Sequence, residues 1–337
     1  MIGWGTGYGK LLLFGEHAAV HGHPAVGLAM PLETQVWIGT NPPETRLDAR
    51  SRSFQLGSWQ IHGMLPQHHQ VFGELWKRLL QEVPAIGSAP TRGDKLHTDL
   101  PRQAVITSSV PYEMGFGSSG SLSTALVQAG SRYAGTEASA EWLWTAANSL
   151  EQVFHGTPSG IDTGLAVFGG CQGFLRKADQ AGLPRRIPLQ RPQLPLLVGS
   201  IPRTRTTRQL VAAVHQRLAD EPHRTKGLLQ ELGNYADSAI THIQDTTATP
   251  PFIGRLASQA QVALGALGVS TAELDTLFSE LEQLGALGSK LSGAGGGGAF
   301  FAVFADNSQL EQATVEISRR LTSRFGQENC YVQMLHA

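Results

Sequence analysis

Cysteine is nearly absent from this chain: Cys171 and Cys330 are the only two in 337 residues. They lie far apart and fit no metal-ligand spacing. That excludes a disulfide scaffold and a thiolate metal cluster, and makes a reducing cytosol the expected compartment. Charge is scarce as well, at 16% of residues, and balanced: 26 Lys and Arg against 27 Asp and Glu leave a formal charge of −1. No net basic field draws such a protein to nucleic acid or to an anionic membrane. Long apolar runs are missing too. Ala299–Ala305 is apolar throughout but ends far short of the roughly 18–20 residues that a spanning helix needs. The 41% hydrophobic content nevertheless supports ordinary cores and excludes wholesale disorder. At about 150 residues per domain, the length predicts two domains.

Glycine is what the chain has in plenty, 39 residues of it, and in clusters. Between the clusters, apolar spacing predicts strands at 11–14, 36–38, 104–110, 196–201, 299–304 and 330–335. It predicts helices at 71–83, 121–132, 138–154 and 308–324, with four more helical patterns between Thr206 and Leu284. Residues 41–70, broken by Pro42, Pro43, Gly57 and Gly63, read as hairpins and surface loops, and 84–95 as a loop. Leu165–Phe168, Gly169-Gly170 and Cys171–Leu175 read as a hairpin. Pro184, Pro188, Pro192 and Pro195 resist regular structure and mark an expected boundary between domains 1–190 and 191–337. The mixture predicts an α+β chain.

Three glycine loops carry chemistry. Pro111-Tyr-Glu-Met-Gly-Phe-Gly-Ser-Ser-Gly120 joins a strand to a helix. Backbone amides at a helix N-terminus point outward with partial positive charge, and glycines let a phosphate approach them. The loop lacks the Lys of the Walker pattern and the third Gly of the dinucleotide fingerprint. By itself it also reads as a plain turn with Ser capping the helix. The second loop, Lys290-Leu-Ser-Gly-Ala-Gly-Gly-Gly-Gly298, runs straight into an apolar strand, which favours close approach of a backbone or ligand over a flexible connector. The third is Gly7-Tyr-Gly-Lys10, followed by Leu11–Phe14 and Gly15-Glu-His17. Apart from the loops, Glu151 lies near a helix end and Asp162 follows the stiff turn His155-Gly-Thr-Pro-Ser-Gly160. A carboxylate held there suits a base or a metal-linked group, and equally a turn cap.

Taken together, in this order, the segments resemble the GHMP kinases, a superfamily of small-molecule kinases. They look most like its mevalonate kinase branch in 9–22, 155–162, 264–275 and 288–298. The resemblance spans about residues 7 to 304. It implies a two-domain GHMP kinase fold: an N-terminal domain like ribosomal protein S5 domain 2 and a ferredoxin-like C-terminal domain. It implies ATP and Mg²⁺ as cofactors, mevalonate as the small-molecule substrate, and leaves a homodimer as an expectation by analogy. Phosphomevalonate, homoserine or a sugar as acceptor, or a non-catalytic sensor, are the competing readings.

Residue by residue, the resemblance makes Asp162 the catalytic carboxylate and Lys10 the lysine beside the reacting oxygen. Ser119 and Glu151 fall at the Mg²⁺ ligands. Ser108, Gly115, Phe116, Gly117, Ser118, Ser119 and Gly120 fall at the ATP contacts. Glu16, His17 and Thr207 fall among the substrate contacts, and Gly293, Ala294, Gly295 and Gly296 back the phosphate loop. Glu113 and Met114 depart from the family pattern. A Glu beside a triphosphate is electrostatically unfavourable unless it points to solvent or to a basic neighbour.

Overall fold

The computed structural model describes residues 2–39, 52–56, 59–63, 69–88, 102–176 and 182–336. Their elements in chain order are β1 (Gly3–Phe14), β2 (Pro24–Gly39), β3 (Arg52–Leu56), β4 (Trp59–Gly63), α1 (His69–Glu82), α2 (Ala85–Ser88) and β5 (Arg102–Ser108). Then come α3 (Ser118–Tyr133), α4 (Ala140–His155), α5 (Ile161–Phe168), β6 (Cys171–Leu175), β7 (Arg185–Leu189) and β8 (Leu196–Ile201). The chain ends with α6 (Thr207–Asp220), α7 (Pro222–Gln244), α8 (Pro250–Ala266), α9 (Ala272–Gln283), β9 (Gly288–Leu291), β10 (Gly298–Val303), α10 (Asn307–Phe325) and β11 (Tyr331–Leu335). The class is α+β, as the mixed pattern predicts. No helix among the described residues is long and apolar enough to cross a membrane.

Two compact units form, each discontinuous in sequence. The first takes Met1–Gly9, Met30–Val110 and Gly117–Gly169; the second takes Lys10–Ala29, Pro111–Phe116 and Gly170–Ala337.

In the first unit, Thr34–Gly39 of β2 pairs antiparallel with β5, β5 runs parallel to β4, and β4 forms a hairpin with β3. Val36, Ile38, Ala104 and Ile106 of these strands pack with Phe72, Leu75, Trp76 and Leu79 of α1, residues at helical spacing. Leu122, Ala125, Leu126 and Ala129 of α3 join the same core. One feature of β1 sets where α3 lies. Gly3, Gly5 and Gly7 recur at the strand period of two, and a Cβ on each would overlap the carbonyl oxygens of Ala129, Ala125 and Ser121. Those oxygens are themselves one helical turn apart, so a glycine row lets α3 rest directly on the strand backbone.

In the second unit, Pro24–Leu28 of β2 pairs with β6 and β6 with β7, both antiparallel. A four-stranded antiparallel sheet runs in the order β11-β8-β10-β9. Every residue of β8, β9 and β10 is buried; β8 and β10 are mostly apolar runs, whereas β9 buries Ser289 and Lys290. Pro222 and Pro250 open α7 and α8, where a missing backbone N–H costs nothing.

Four expectations change. Leu165–Phe168, expected as a hairpin strand, forms the second half of α5 (Ile161–Phe168). A short apolar run reads equally as strand or helix, and here burial of Ile161 and Leu165, four apart, decides for helix. Arg185–Leu189 is a strand in spite of Pro188; β7 is an edge strand, where a residue lacking an N–H is tolerated. Ala85–Ser88 is helical where 84–95 reads as loop, and 89–95 lies outside the described residues. The polar-looking Gly288–Leu291 is a buried strand. Of the stretch 41–70, the hairpin β3–β4 is present, while 41–51, 57–58 and 64–68 lie outside the described residues.

Candidate active site

The first unit gathers Ser119, Gly120, Glu151 and Asp162. Gly117 caps α3 with a left-handed backbone (φ 75°) and no side chain caps the helix, so the first-turn amides stay open to a ligand. The turn therefore differs from the Ser-capped alternative. Glu151, in the last turns of α4, is buried. Its Oε1 accepts the Ser119 hydroxyl at 2.7 Å and its Oε2 the Ser123 hydroxyl at 3.3 Å. His155, one turn further on, brings Nε2 to 3.3 Å from Glu151 and 3.4 Å from Ser119.

Asp162 sits in the first turn of α5, half-buried. That turn is anchored by Trp144, whose indole donates to the Gly160 carbonyl at 2.8 Å. A Cβ on Gly120 would lie 3.2 Å from the carbonyl carbon of Asp162 and 3.3 Å from its Cβ. Glycine at 120 thus allows the first turn of α3 to approach the carboxylate-bearing turn of α5. Ser108 stands apart at the exposed end of β5, where its hydroxyl meets Thr34 at 2.8 Å and accepts the Val110 amide at 3.1 Å.

The second unit gathers the remainder. Lys10 is buried within β1, and its amide donates to the Phe116 carbonyl at 2.8 Å. Phe116 is fully buried, edge-on to Tyr331, and the Ser200 hydroxyl donates to the Met114 carbonyl at 2.8 Å. These contacts hold the entry to the Gly115–Gly120 loop. Glu113, in a left-handed conformation (φ 59°), is exposed, which answers the electrostatic objection to an acid at this position. Thr207 opens α6 beneath a Thr206–Gln209 capping box, and its hydroxyl lies 3.4 Å from an Arg203 guanidinium nitrogen.

Gly293, Gly295, Gly296, Gly297 and Gly298 all have positive φ, so the loop needs glycine for its path, as its composition indicates. Glu16 pairs with Lys290, and neither side chain has exposed surface. Burial pushes the Glu16 carboxyl up from its ordinary range, against the opposing pull of Lys290, and pushes the Lys290 ammonium down. His17 Nε2 lies 3.0 Å from the Ala294 carbonyl, and burial lowers its pKa so that the ring is neutral at pH 7.

Sequence reasoning missed Lys290, Ser292, Ser123 and His155. Lys290 in β9 and Ser292 just past its end alternate on the way into the glycine loop, and that alternation was the available signal. Among the described residues no group of three or more His, Cys, Asp or Glu could hold a metal on its own. Ser119 and Glu151 offer two oxygens already in contact. That donor set suits a hard cation that takes its other ligands from phosphate and water, as Mg²⁺ does.

The N-terminal domain family of the GHMP kinases matches residues 77–170, and the GHMP kinases C-terminal family matches 251–322. The mevalonate kinase of Thermococcus onnurineus is 30% identical over 309 residues, covering 90% of each chain. That of Pyrococcus horikoshii is 30% identical over 315 residues, covering 90% of this chain and 89% of its own. Among solved structures, L. major mevalonate kinase in complex with R-mevalonate superposes with a TM-score of 0.75 at 24% identity, covering 98% of this chain and 94% of that one. The structural likeness establishes the shared fold, and the sequence likeness establishes descent. Two relatives at this identity over nine-tenths of the chain, with both halves of the fold matched in order, mean that the chain belongs to the GHMP kinase superfamily, alongside the mevalonate kinases.

Proposed function

We propose that the protein transfers the γ-phosphoryl group of ATP to the primary hydroxyl of (R)-mevalonate, giving 5-phosphomevalonate and ADP. The observation that carries this reading is the 30% identity to mevalonate kinases over 90% of the chain. It is supported by the Ser119–Glu151 contact beside the close approach of Gly120 to Asp162. Residues 1–190 hold most of the ATP and catalytic motifs in this reading, and 191–337 hold Thr207 and the second glycine loop. The cytosol is the matching compartment, with both cysteines free thiols.

Phosphoryl transfer asks for positioning and charge neutralisation more than for covalent work by the protein. The substrate oxygen forms the new P–O bond, the bond from the γ-phosphorus to the bridging oxygen breaks, and ADP leaves with that electron pair. Asp162 accepts the proton of the attacking hydroxyl. Lys10 offsets negative charge on the transferred group. Gly117 to Gly120 offer the open amides of α3 to the phosphates, with Ser108, Gly115 and Phe116 completing the nucleotide contacts. Ser119 and Glu151 would hold Mg²⁺, which when bound would neutralise phosphate charge. His17 and Thr207 belong to the acceptor side, and Gly293, Ala294, Gly295 and Gly296 back the phosphates.

An ADP-release assay with mevalonate, phosphomevalonate, homoserine and galactose tests the reading. Turnover confined to mevalonate is expected. Preference for another of the four moves the acceptor while keeping the kinase, and turnover with none supports a ligand sensor.

A further inference from the structure

Residues 290, 292 and 294 alternate along the chain, and each ties to the segment from Leu12 in β1 to His17 just past it, in the same unit. The Lys290 ammonium pairs with Glu16 and donates to the Leu291 carbonyl at 2.6 Å. It also lies 5.6 Å from the ring centroid of Phe14 and 5.2 Å from that of Phe301. The Ser292 hydroxyl accepts the Leu12 amide at 3.0 Å and donates to the Leu12 carbonyl at 2.9 Å. The Ala294 carbonyl meets the His17 ring at 3.0 Å. Between the second and third ties, Gly293 faces Lys10: a Cβ built there would lie 3.7 Å from the Lys10 ammonium.

Stability alone accounts poorly for such a pair. Desolvating two charges offsets most of their attraction, and apolar replacements of buried pairs are often neutral or stabilising. The second oxygen of Glu16 also has no hydrogen-bond partner among the described residues, a further cost of burial. What the ties do geometrically is bind the glycine loop to the strand carrying Lys10. We propose that Glu16, Lys290 and Ser292 are positioning residues that fix the Lys10 ammonium beside Gly293, and that Glu16 serves the reaction through this clasp rather than by touching the acceptor. The proposal rests on the kinase reading above for its kinetic consequences.

The test compares the full chain with Glu16→Gln, Lys290→Met, the Glu16→Gln/Lys290→Met double variant and Ser292→Ala. Each single variant should lower kcat by about tenfold or more while KM for mevalonate stays within about twofold, because misplacement by fractions of an ångström weakens transition-state contacts first. The double variant should be slowed to about the level of the slower single variant and no further, the mark of two groups acting as one. Independently of turnover, acylation of Lys10 followed by mass spectrometry should speed up at least about threefold in Ser292→Ala, with faster amide exchange at Leu12.

A tenfold rise in KM for mevalonate with kcat retained in Glu16→Gln would make Glu16 an acceptor contact and overturn the proposal. So would lowered melting temperatures with kcat and Lys10 labelling unchanged. If a single variant does not fold, the double variant, which strands no buried charge, decides: kcat at the wild-type level overturns the clasp. If the wild-type protein phosphorylates none of the acceptors, the kinase reading fails alone, and the Lys10 labelling and Leu12 exchange still judge the clasp.

Discussion

The Ser119 hydroxyl donates to the Glu151 carboxylate at 2.7 Å across 32 residues of sequence. A serine in the first turn of α3 thereby meets a buried acid in the last turns of α4, and the contact brings together two oxygens suited to a hard cation. Glu151→Gln keeps the shape and the acceptor for Ser119 but removes the charge. The Mg²⁺ concentration for half-maximal activity should rise by about tenfold or more, with the melting temperature little changed. A titration of activity against Mg²⁺ checks this, and an unmoved midpoint would remove Glu151 from the metal site.

Asp162 supplies a second test. Asp162→Asn removes the proposed proton acceptor and leaves the first turn of α5 and its Trp144 anchor in place. Turnover should fall by about 10²- to 10⁴-fold, the range for loss of a general base, with ATP affinity largely kept. Near-normal kcat in the Asn variant, measured beside nucleotide binding by calorimetry, would end the assignment of Asp162 as base.

The elements that carry the candidate residues were legible in the sequence because they are local, while the roles given to those residues rest on the family resemblance. The strand, turn and helix around Gly117, the helix end at Glu151 and the turn before Asp162 each follow from spacing, capping and glycine placement over ten or so residues. What was not legible is long-range. Lys290 looks like a surface cation at the start of a glycine loop, yet its side chain has no exposed surface because Glu16, 274 residues earlier, is its partner. Leu165–Phe168 misleads for a different reason: four apolar residues carry too little periodicity to separate helix from strand, and tertiary burial settles it. Gly3, Gly5 and Gly7 follow a clear period, but only the helix lying against them gives that period its meaning.

Glycines on two sides of α3 should respond differently to alanine. At Gly5 the added Cβ would overlap the Ala125 carbonyl oxygen, backbone that cannot yield without moving the helix. Gly5→Ala should cost about 1–3 kcal/mol, the range for overpacking, seen as a lowered melting temperature. At Gly120 the nearest atoms stand at 3.2–3.3 Å, and alanine favours the helix by about 0.5–1 kcal/mol. Gly120→Ala should therefore keep stability within about 1 kcal/mol, yet push the first turn of α3 away from Asp162 and lower kcat by about tenfold or more. An unchanged kcat in Gly120→Ala would contradict the close approach argued for Gly120.

The last prediction concerns pH. Burial pushes the Cys171 thiol up to about 12, against a weaker opposing pull from Arg191. At pH 8 only about one molecule in ten thousand then carries the thiolate that alkylating reagents need, so Cys330 should be the thiol that reacts in the folded protein. The same shift links to stability. In the unfolded chain this thiol ionises near 9, so between pH 9 and 12 the unfolded state binds fewer protons than the folded one, and stability falls as pH rises. About three pH units at 1.4 kcal/mol each bound the loss at about 4 kcal/mol. Denaturant titrations from pH 8 to 11 should show a steeper decline in the wild-type protein than in Cys171→Ala, where this contribution is gone. Parallel declines in the two proteins would mean that Cys171 is solvated in the folded state, contrary to its position within β6.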